Sequence, residues 1–315
     1  MLPSLSKIKD LCRISFNRYY PLFFFALLLV SFFCSYKYIR ISYNPNPLLD
    51  ISRKFVKTQD VIINIQPLRD FYGNLQSKYP NSDISLYFEF LNTGANISLN
   101  KNLRMWPASL PKVPVAIIIM RKIEDGDLSL STKIRIKDSD LNKNSGDLYK
   151  NGSGTEYTVE ELLRHLLVYS DNTADIALLR QITKEEEEDF IMETGLEELF
   201  SKEGGISAKE YSRVLRSLYE SSYLEPKNSE KILDLMSQSA FTDFMSRGIP
   251  RGIRFARKWG IDFDRKTYLE AGIVYLPDRP YMVVAIISGV GIDSARDFFY
   301  SVSSSAYNYL SRVRK

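Results

Sequence analysis

The stretch Ala108-Ser109-Leu110-Pro111-Lys112-Val113-Pro114 opens an apolar run that continues to residue 120. Proline is tolerated in the first turn of a helix but not further on, so Pro111 and Pro114 predict a helix that begins near Leu110. Ser109 then lies at a helix N-terminus, where free N–H groups and the helix dipole stabilise negative charge. The spacing of three puts Lys112 on the same face, and the apolar residues after it would desolvate its amine and lower the pKa.

A serine nucleophile needs a base, and the chain contains one histidine, His165. A lone histidine on a leucine-rich helix is more often a packing residue than a catalyst. Any serine chemistry is therefore expected to use Ser109 with Lys112 as the base. Taken alone, the same two residues also fit an ordinary helix cap followed by a surface lysine.

A second polar signature, Ser170-Asp171-Asn172, follows an apolar helix predicted to end at residue 169 and precedes another helix. This position predicts a helix junction exposed to a cleft. A hydroxyl and an amide there can relay a proton and bind an amide carbonyl. The same residue types are also common helix caps, so both interpretations stay open.

The order of predicted elements indicates an α+β fold: an antiparallel sheet built from both chain ends, flanked by helices, plus an all-helical lobe. Two capping boxes, Thr158 with Glu161 and Ser207 with Glu210, predict the starts of two helices. The predicted strands cover residues 84–90, 253–261, 268–275 and 281–288. The predicted helices cover residues 68–78, 112–123, 159–169, 174–183, 185–194, 208–219 and 295–310.

Three stretches in this order, residues 108–114, 168–174 and 271–277, resemble the class A β-lactamase family. That family belongs to the penicillin-recognising serine hydrolases. The resemblance covers roughly residues 66–313 and implies the β-lactamase/transpeptidase-like fold. It also implies an enzyme that works through an acyl-enzyme and uses neither metal nor cofactor.

The resemblance assigns three catalytic roles. Ser109 corresponds to the acylated nucleophile, Lys112 to its proton acceptor, and Ser170 to the group that passes the proton to the leaving nitrogen. It also assigns substrate-binding residues: Asn172 to hold the substrate's side-chain amide, with Lys258 and Gly260 matching the family's Lys-Thr-Gly motif. The backbone N–H groups of Ser109 and Ile261 are expected to form the oxyanion hole.

The chain departs from the family pattern in two places. Trp259 stands where the third motif usually has a hydroxyl that binds the substrate carboxylate. The family's loop glutamate, which activates the deacylating water, has no clear match in the short segment 195–206, although Glu197, Glu198 and Glu203 occur in it. The acidic run 185–189 is better interpreted as the solvated first turns of a helix.

The N-terminal part predicts a membrane anchor. No charge occurs between Arg18 and Lys37, and these 18 residues would span about 27 Å as a helix. We expect a cytoplasmic tail over residues 1–18, a single-pass anchor over 19–39, a spacer over 40–65 and an extracytoplasmic catalytic domain over 66–313. A cleaved signal peptide is the alternative.

Composition excludes other classes. The net charge of +4 comes without a basic stripe interleaved with aromatic residues, so no nucleic acid is expected. One histidine and two cysteines make no zinc site. The leading hypothesis is a monomeric, membrane-anchored serine hydrolase acting on β-lactams or peptidoglycan stem peptides. The alternatives are a D-Ala-D-Ala peptidase or penicillin-binding protein, and a catalytically poor wall-binding module of the same fold.

Overall fold

The computed structural model describes residues 23–33, 35, 46–50, 63–196, 199–200 and 204–312. The chain divides into two units, residues 1–47 and 48–315. In the first unit, residues 23–33 are helical. The predicted tail 1–18 and positions 19–22, 34 and 36–39 of the predicted anchor lie outside the described residues. Within the part of the chain that is described, no helix combines the length and apolar character that crossing a membrane requires.

The second unit is built on a five-stranded antiparallel sheet with the strand order β2-β1-β7-β6-β5. Both chain ends contribute to it, because β1 pairs with β7 from Asp83 opposite Ser288 to Phe90 opposite Tyr281. The predicted α+β architecture is confirmed. The strands of this sheet are β1 (Asp83–Phe90), β2 (Ala95–Leu99), β5 (Phe255–Asp262), β6 (Thr267–Val274) and β7 (Tyr281–Ser288). A separate two-stranded sheet pairs β3 (Lys133–Arg135) with β4 (Glu156–Thr158).

Helices occupy both faces of the large sheet. They are α1 (Gln66–Gly73), α2 (Leu75–Lys78), α3 (Lys112–Glu124), α4 (Val159–Val168), α5 (Asn172–Leu179), α6 (Lys184–Thr194), α7 (Ala208–Tyr219), α8 (Pro226–Ser237) and α9 (Ile292–Arg312). Short 3₁₀ turns cover Asp138–Asp140, Leu148–Asn151 and Met245–Gly248. The single helix predicted over 68–78 is two helices, interrupted at Asn74.

The core lies on both faces of the sheet because successive strand residues point in opposite directions. In β1, Tyr87 packs into the hydrophobic cluster shared with α3, α4, α7 and α8. Its neighbours Leu86 and Phe88 pack into the cluster shared with α1 and α9. The sheet therefore separates the helical lobe from α1 and α9, and α3 lies on the helical-lobe side.

Two predicted capping boxes are confirmed. The Thr158 hydroxyl accepts from the Glu161 N–H at the start of α4, and the Ser207 hydroxyl accepts from the Glu210 N–H at the start of α7. Each glutamate carboxylate in turn accepts a hydrogen bond from the cap residue's own N–H, so two free donors are satisfied at each helix start.

Part of the predicted spacer packs on the second unit. Leu48 and Leu49 are buried in the hydrophobic core. The Leu48 N–H donates to the Glu230 carboxylate at 2.9 Å, and the Leu48 carbonyl accepts from the Tyr275 hydroxyl at 3.0 Å. The folded unit therefore includes chain N-terminal to residue 66.

Candidate active site

Ser109 lies in a tight turn directly before α3. The Leu110 N–H donates to the Pro107 carbonyl at 2.9 Å, and α3 itself begins at Lys112 with Pro111 as its N-cap. The helix thus starts at the first residue of the predicted range 112–123, and both prolines lie at its entry. Ala108 has a φ of 42°, a left-handed conformation that costs free energy for a residue with a side chain. This strained backbone presents Ser109, which is partly exposed.

Gly260 lets strand β5 approach this turn. A Cβ atom at residue 260 would lie 2.8 Å from the Ser109 backbone nitrogen and 3.0 Å from the Ala108 Cβ atom. Either distance would force backbone atoms apart, so glycine is required by close approach. Ile261 follows on β5, the edge strand of the sheet, whose outer side has no strand partner in the described part of the chain. The structure thus brings residue 260 beside the Ser109 backbone nitrogen, and the oxyanion hole formed with the Ile261 N–H stays a prediction.

Lys112 is buried, with 3% of its surface exposed. Its Nζ donates to the Ser170 carbonyl at 2.5 Å and to Asn172 Oδ1 at 2.5 Å, and lies 3.2 Å from Ser170 Oγ. Burial lowers the pKa of Lys112 to about 8, although the charges of Asp175 and Asp171 oppose that shift. A lysine near neutrality is suited to serve as a base.

Ser170 connects Lys112 to a second lysine. Lys258 is fully buried on β5, and its Nζ donates to Ser170 Oγ at 2.7 Å. Burial lowers the pKa of Lys258 well below its usual value, and the charge of Lys112 lowers it further. Ser170 reaches both amines because its own backbone is left-handed, with a φ of 57°. The described residues therefore contain a continuous chain from Lys112 through the Ser170 hydroxyl to Lys258.

Asp171 and Asn172 have different roles in the second polar signature. Asp171 is a buried cap whose oxygens accept from four backbone N–H groups, those of residues 147, 148, 173 and 174. Asn172 faces the site, because its Oδ1 accepts from Lys112 and its Nδ2 donates to Asn142 Oδ1 at 3.2 Å. Sequence reasoning missed Asn142, which lies on a loop without a helix or strand pattern.

Trp259 lies against Phe241, with ring centroids 4.3 Å apart and an interplanar angle of 20°. The Lys258 amine lies 5.1 Å from the centre of the indole ring and also donates to the Trp259 carbonyl at 2.9 Å. The indole Nε1 is closed to solvent and has no hydrogen-bond partner among the described residues. An aromatic pair thus occupies the place where the family has a hydroxyl.

A buried ion pair supports the strand behind Lys258. Arg257 lies beside Glu270, with 3.3 Å between Nε and Oε1, and its Nη2 donates to the Ser239 and Phe241 carbonyls. Burial raises the pKa of Glu270 to about 7. Arg257 thereby fixes the loop that carries Phe241 against Trp259.

Two other predicted features, His165 and the segment 195–206, make no hydrogen bond to the Lys112–Ser170–Lys258 chain among the described residues. His165 is half-buried between the rings of Tyr157 and Tyr169, and burial lowers its pKa. The segment 195–206 returns toward Ser109, because residue 206 pairs with Met105 through backbone hydrogen bonds of 2.9 and 3.1 Å. Its acidic positions 197, 198 and 203 lie outside the described residues.

Asp175 is a further acidic residue that sequence reasoning missed. It lies on α5, one helical turn after Asn172, and its charge acts on both Lys112 and Lys258. The available signal was the spacing of three from Asn172, which puts both side chains on one helix face.

A sequence model of the β-lactamase enzyme family matches residues 67–310. This chain belongs to the β-lactamase enzyme family. A stretch of 89 residues is 30% identical to D-alanyl-D-alanine carboxypeptidase DacF of Bacillus subtilis (strain 168), covering 28% of this chain and 23% of that protein. The match spans less than a quarter of that relative.

Solved structures share the β-lactamase fold. PBP-A is 20% identical, with 79% of this chain and 97% of that chain covered and a TM-score of 0.73. A mutant of the last common ancestor of Gram-negative bacteria β-lactamase class A is 19% identical, with coverage of 78% and 100% and a TM-score of 0.70. The predicted resemblance to class A β-lactamases and the predicted β-lactamase/transpeptidase-like fold are confirmed. The chain is a β-lactamase-like member of the serine hydrolases.

Proposed function

We propose that the protein forms an acyl-enzyme through Ser109 with β-lactams and related D-alanyl-D-alanine peptides, and that it hydrolyses the adduct slowly. The observation that carries this proposal is the Ser170 hydroxyl held between two buried lysine amines, 3.2 Å from Lys112 and 2.7 Å from Lys258. A buried serine between two amines has few structural uses, but it can pass a proton.

Acylation would begin at Lys112. In its neutral form the amine has two N–H donors, which match the Ser170 carbonyl and Asn172 Oδ1, and this leaves the lone pair free to accept a proton. Ser109 Oγ would transfer its proton to that lone pair and attack the substrate carbonyl carbon. The N–H groups of Ser109 and Ile261 would stabilise the oxyanion.

Collapse of the tetrahedral intermediate would break the carbon–nitrogen bond. The leaving nitrogen would take its proton from the Ser170 hydroxyl, which would be reprotonated from Lys112. Lys258 would hold the Ser170 oxygen and stabilise negative charge on it during transfer. Asn172 would bind the substrate's amide with its remaining hydrogen-bonding capacity.

Two relatives support the substrate class. DacF is a D-alanyl-D-alanine carboxypeptidase, and a mutant of PBP-A has been solved as an acyl-enzyme complex with penicillin G. Slow hydrolysis is proposed because segment 195–206 has no clear sequence match to the loop glutamate of class A β-lactamases; its acidic positions 197, 198 and 203 lie outside the described residues. A second candidate function is a wall-binding module of the same fold. Trp259 favours it, because this residue replaces the hydroxyl that would be expected to bind the substrate carboxylate.

Intact mass spectrometry with penicillin G distinguishes the two candidates. We expect the unmodified protein to gain the mass of one penicilloyl group and Ser109→Ala to gain none. The matched control is Ser98→Ala, which changes an exposed serine that also precedes a lysine by three residues and should leave labelling intact. Circular dichroism checks that each variant is folded. Equal labelling of Ser109→Ala would remove Ser109 from this role, and an unlabelled parent protein would favour the binding module.

We further propose a monomeric enzyme held in the cell membrane by one span over residues 19–39, with the catalytic domain outside the cytoplasm. The uncharged stretch 19–36 and the basic residues before it support this arrangement. Full-length protein should stay with membranes after an alkaline wash, and a chain beginning at residue 46 should be soluble and monomeric in size-exclusion chromatography. Soluble full-length protein trimmed near residue 34 would indicate a cleaved signal peptide instead.

A further inference from the structure

The carboxylate of Asp175 is placed differently from the other acids near the site. Asp175 is partly buried, and its Oδ1 is closed to solvent and has no hydrogen-bond partner among the described residues. By contrast, Asp171 in the same helix start is satisfied by four backbone N–H groups. A buried carboxylate oxygen without a hydrogen bond is costly unless positive charge compensates the group.

The compensating charges are the two lysines. Asp175 follows Asn172 by one helical turn, and Asn172 Oδ1 lies 2.5 Å from the Lys112 amine. Asp175 therefore lies on the face of α5 that points toward Lys112. Burial raises the pKa of the Asp175 carboxyl, while the charges of Lys112 and Lys258 act in the opposite direction.

Lys112 and Lys258 both approach the Ser170 hydroxyl, so a negative charge near both amines would reduce their mutual repulsion. Both amines lie within 3.2 Å of Ser170 Oγ, so two positive charges would repel each other there. Asp171 acts on Lys112 and Glu270 acts on Lys258, but Asp175 acts on both.

We propose that Asp175 is a positioning residue: its carboxylate is the internal counter-ion of Lys112 and Lys258, and it sets the pH range in which Lys112 can take the proton of Ser109. The kinetic part of this role rests on the proposed function, because it requires acylation of Ser109. The electrostatic part does not.

Other charged groups around α5 are engaged elsewhere. Asp140 of the first 3₁₀ turn bonds Arg180, and His165 on α4 lies near Asp171; Asp147 pairs at the surface with Lys150. In the described part of the chain, therefore, no other carboxylate acts on both lysines and could replace the charge of Asp175. The pKa of Lys112 should fall further below about 8 in its absence.

Removal of the Asp175 charge should shift the pH profile of acylation to lower pH. Acylation needs neutral Lys112, so its rate rises with pH through the pKa of that amine. Asp175→Asn keeps the shape but removes the charge, and the rising limb should move to lower pH by about one unit or more, in the range that a nearby opposite charge shifts a pKa. Asp175→Glu should keep the limb near its original position. Asp147→Asn is the matched control, because it removes an exposed carboxylate beside the site and should move nothing.

The experiment combines two measurements on the full chain. The first is the acylation rate with penicillin G, measured by intact mass spectrometry between about pH 5.5 and about pH 9.5; the midpoint of the pH profile is compared with the ordinary pKa of lysine. The second is the NMR titration of the lysine Cε carbons, with the Lys112 signal assigned by its loss in Lys112→Arg. Asp175→Ser is the second neutral variant, in case the amide does not fit.

A lower midpoint in both measurements for Asp175→Asn, but not for Asp147→Asn, supports the counter-ion. An unlabelled parent protein whose Lys112 signal still shifts in Asp175→Asn would refute the proposed function and support the counter-ion. An unchanged Lys112 midpoint in both Asp175→Asn and Asp175→Ser overturns the counter-ion proposal. Unchanged acylation with a lost ability to clear the adduct also overturns it, because Asp175 would then be the deacylation base.

Discussion

At the scale of single residues, the site depends on two backbone conformations that side-chain patterns do not reveal. Ala108 and Ser170 are both left-handed, with φ of 42° and 57°. Each costs free energy. Ala108 directly precedes Ser109 at the close approach to β5, and Ser170 Oγ lies between the two amines. Two strained residues at the site are consistent with groups that are held in place before a substrate binds.

The base at this scale is Lys112, so its removal should be far more damaging than removal of the histidine. Lys112→Ala should slow acylation of Ser109 at least about a hundredfold, the lower range for a positioned general base. His165→Ala should be nearly silent, because its ring packs between two tyrosine rings and only its backbone carbonyl, which alanine retains, accepts a hydrogen bond from Asp171. Both rates are measured by intact mass spectrometry with penicillin G. Equal damage by the two changes would contradict the Ser–Lys assignment.

The aromatic residue in the third motif makes a separate prediction. Trp259→Thr restores the hydroxyl next to Lys258 and should speed acylation, while deacylation stays nearly unchanged because the two steps use different groups. Trp259→Phe is the control: it keeps a ring to stack on Phe241 and adds no hydroxyl, so acylation should not become faster. Rapid mixing with penicillin G gives the two rate constants separately. A similar gain in both variants would mean that ring size, not the hydroxyl, limits acylation.

At the scale of elements, helix α7 is fixed to the sheet by a buried ion pair. Arg216 binds the Glu89 carboxylate, whose side chain is only 2% exposed, and Tyr87 donates to the same group at 2.7 Å. Arg216→Ala would leave Glu89 with a buried charge and should cost about 2–3 kcal/mol in the free energy of unfolding. Arg135→Ala is the control: its pair with Glu156 is exposed and should contribute under about 1 kcal/mol. Urea unfolding measures both, and equal losses would contradict the assignment.

Elements with local signals could be predicted, and elements without them could not. The starts of α4 and α7 follow from capping boxes that involve residues three positions apart. Helix α8 was missed even though Pro226 occupies its first turn, because its hydrophobic positions become a core face only against α4, α7 and β5. The site shows the same limit. The pairing of Ser109 with Lys112 follows from local spacing, whereas Lys258, 88 positions from Ser170, entered the predicted site only through the family resemblance. Asp175 was missed because its role depends on these long-range contacts.

At the scale of the whole molecule, the site lies where the helical lobe meets the sheet. Lys112 comes from α3, Ser170 from the junction of α4 and α5, and Lys258 from β5. Because these groups belong to separate elements packed in one core, their distances depend on the whole fold. Loss of fold should therefore abolish acylation entirely, whereas single-residue changes should affect separate steps.

Turnover is the property that depends on all of these parts together. Hydrogen bonds join Lys112, Ser170 and Lys258, whereas segment 195–206 has no clear sequence match to a glutamate that would activate water against the acyl-enzyme. A penicilloyl adduct on Ser109 should therefore persist for minutes or longer, and penicillin hydrolysis should be slow. Time-resolved intact mass spectrometry after removal of free penicillin measures the decay directly. Rapid multiple turnover would contradict this prediction and would direct attention to Glu197 and Glu198, where alanine substitutions of each should then make the adduct persist.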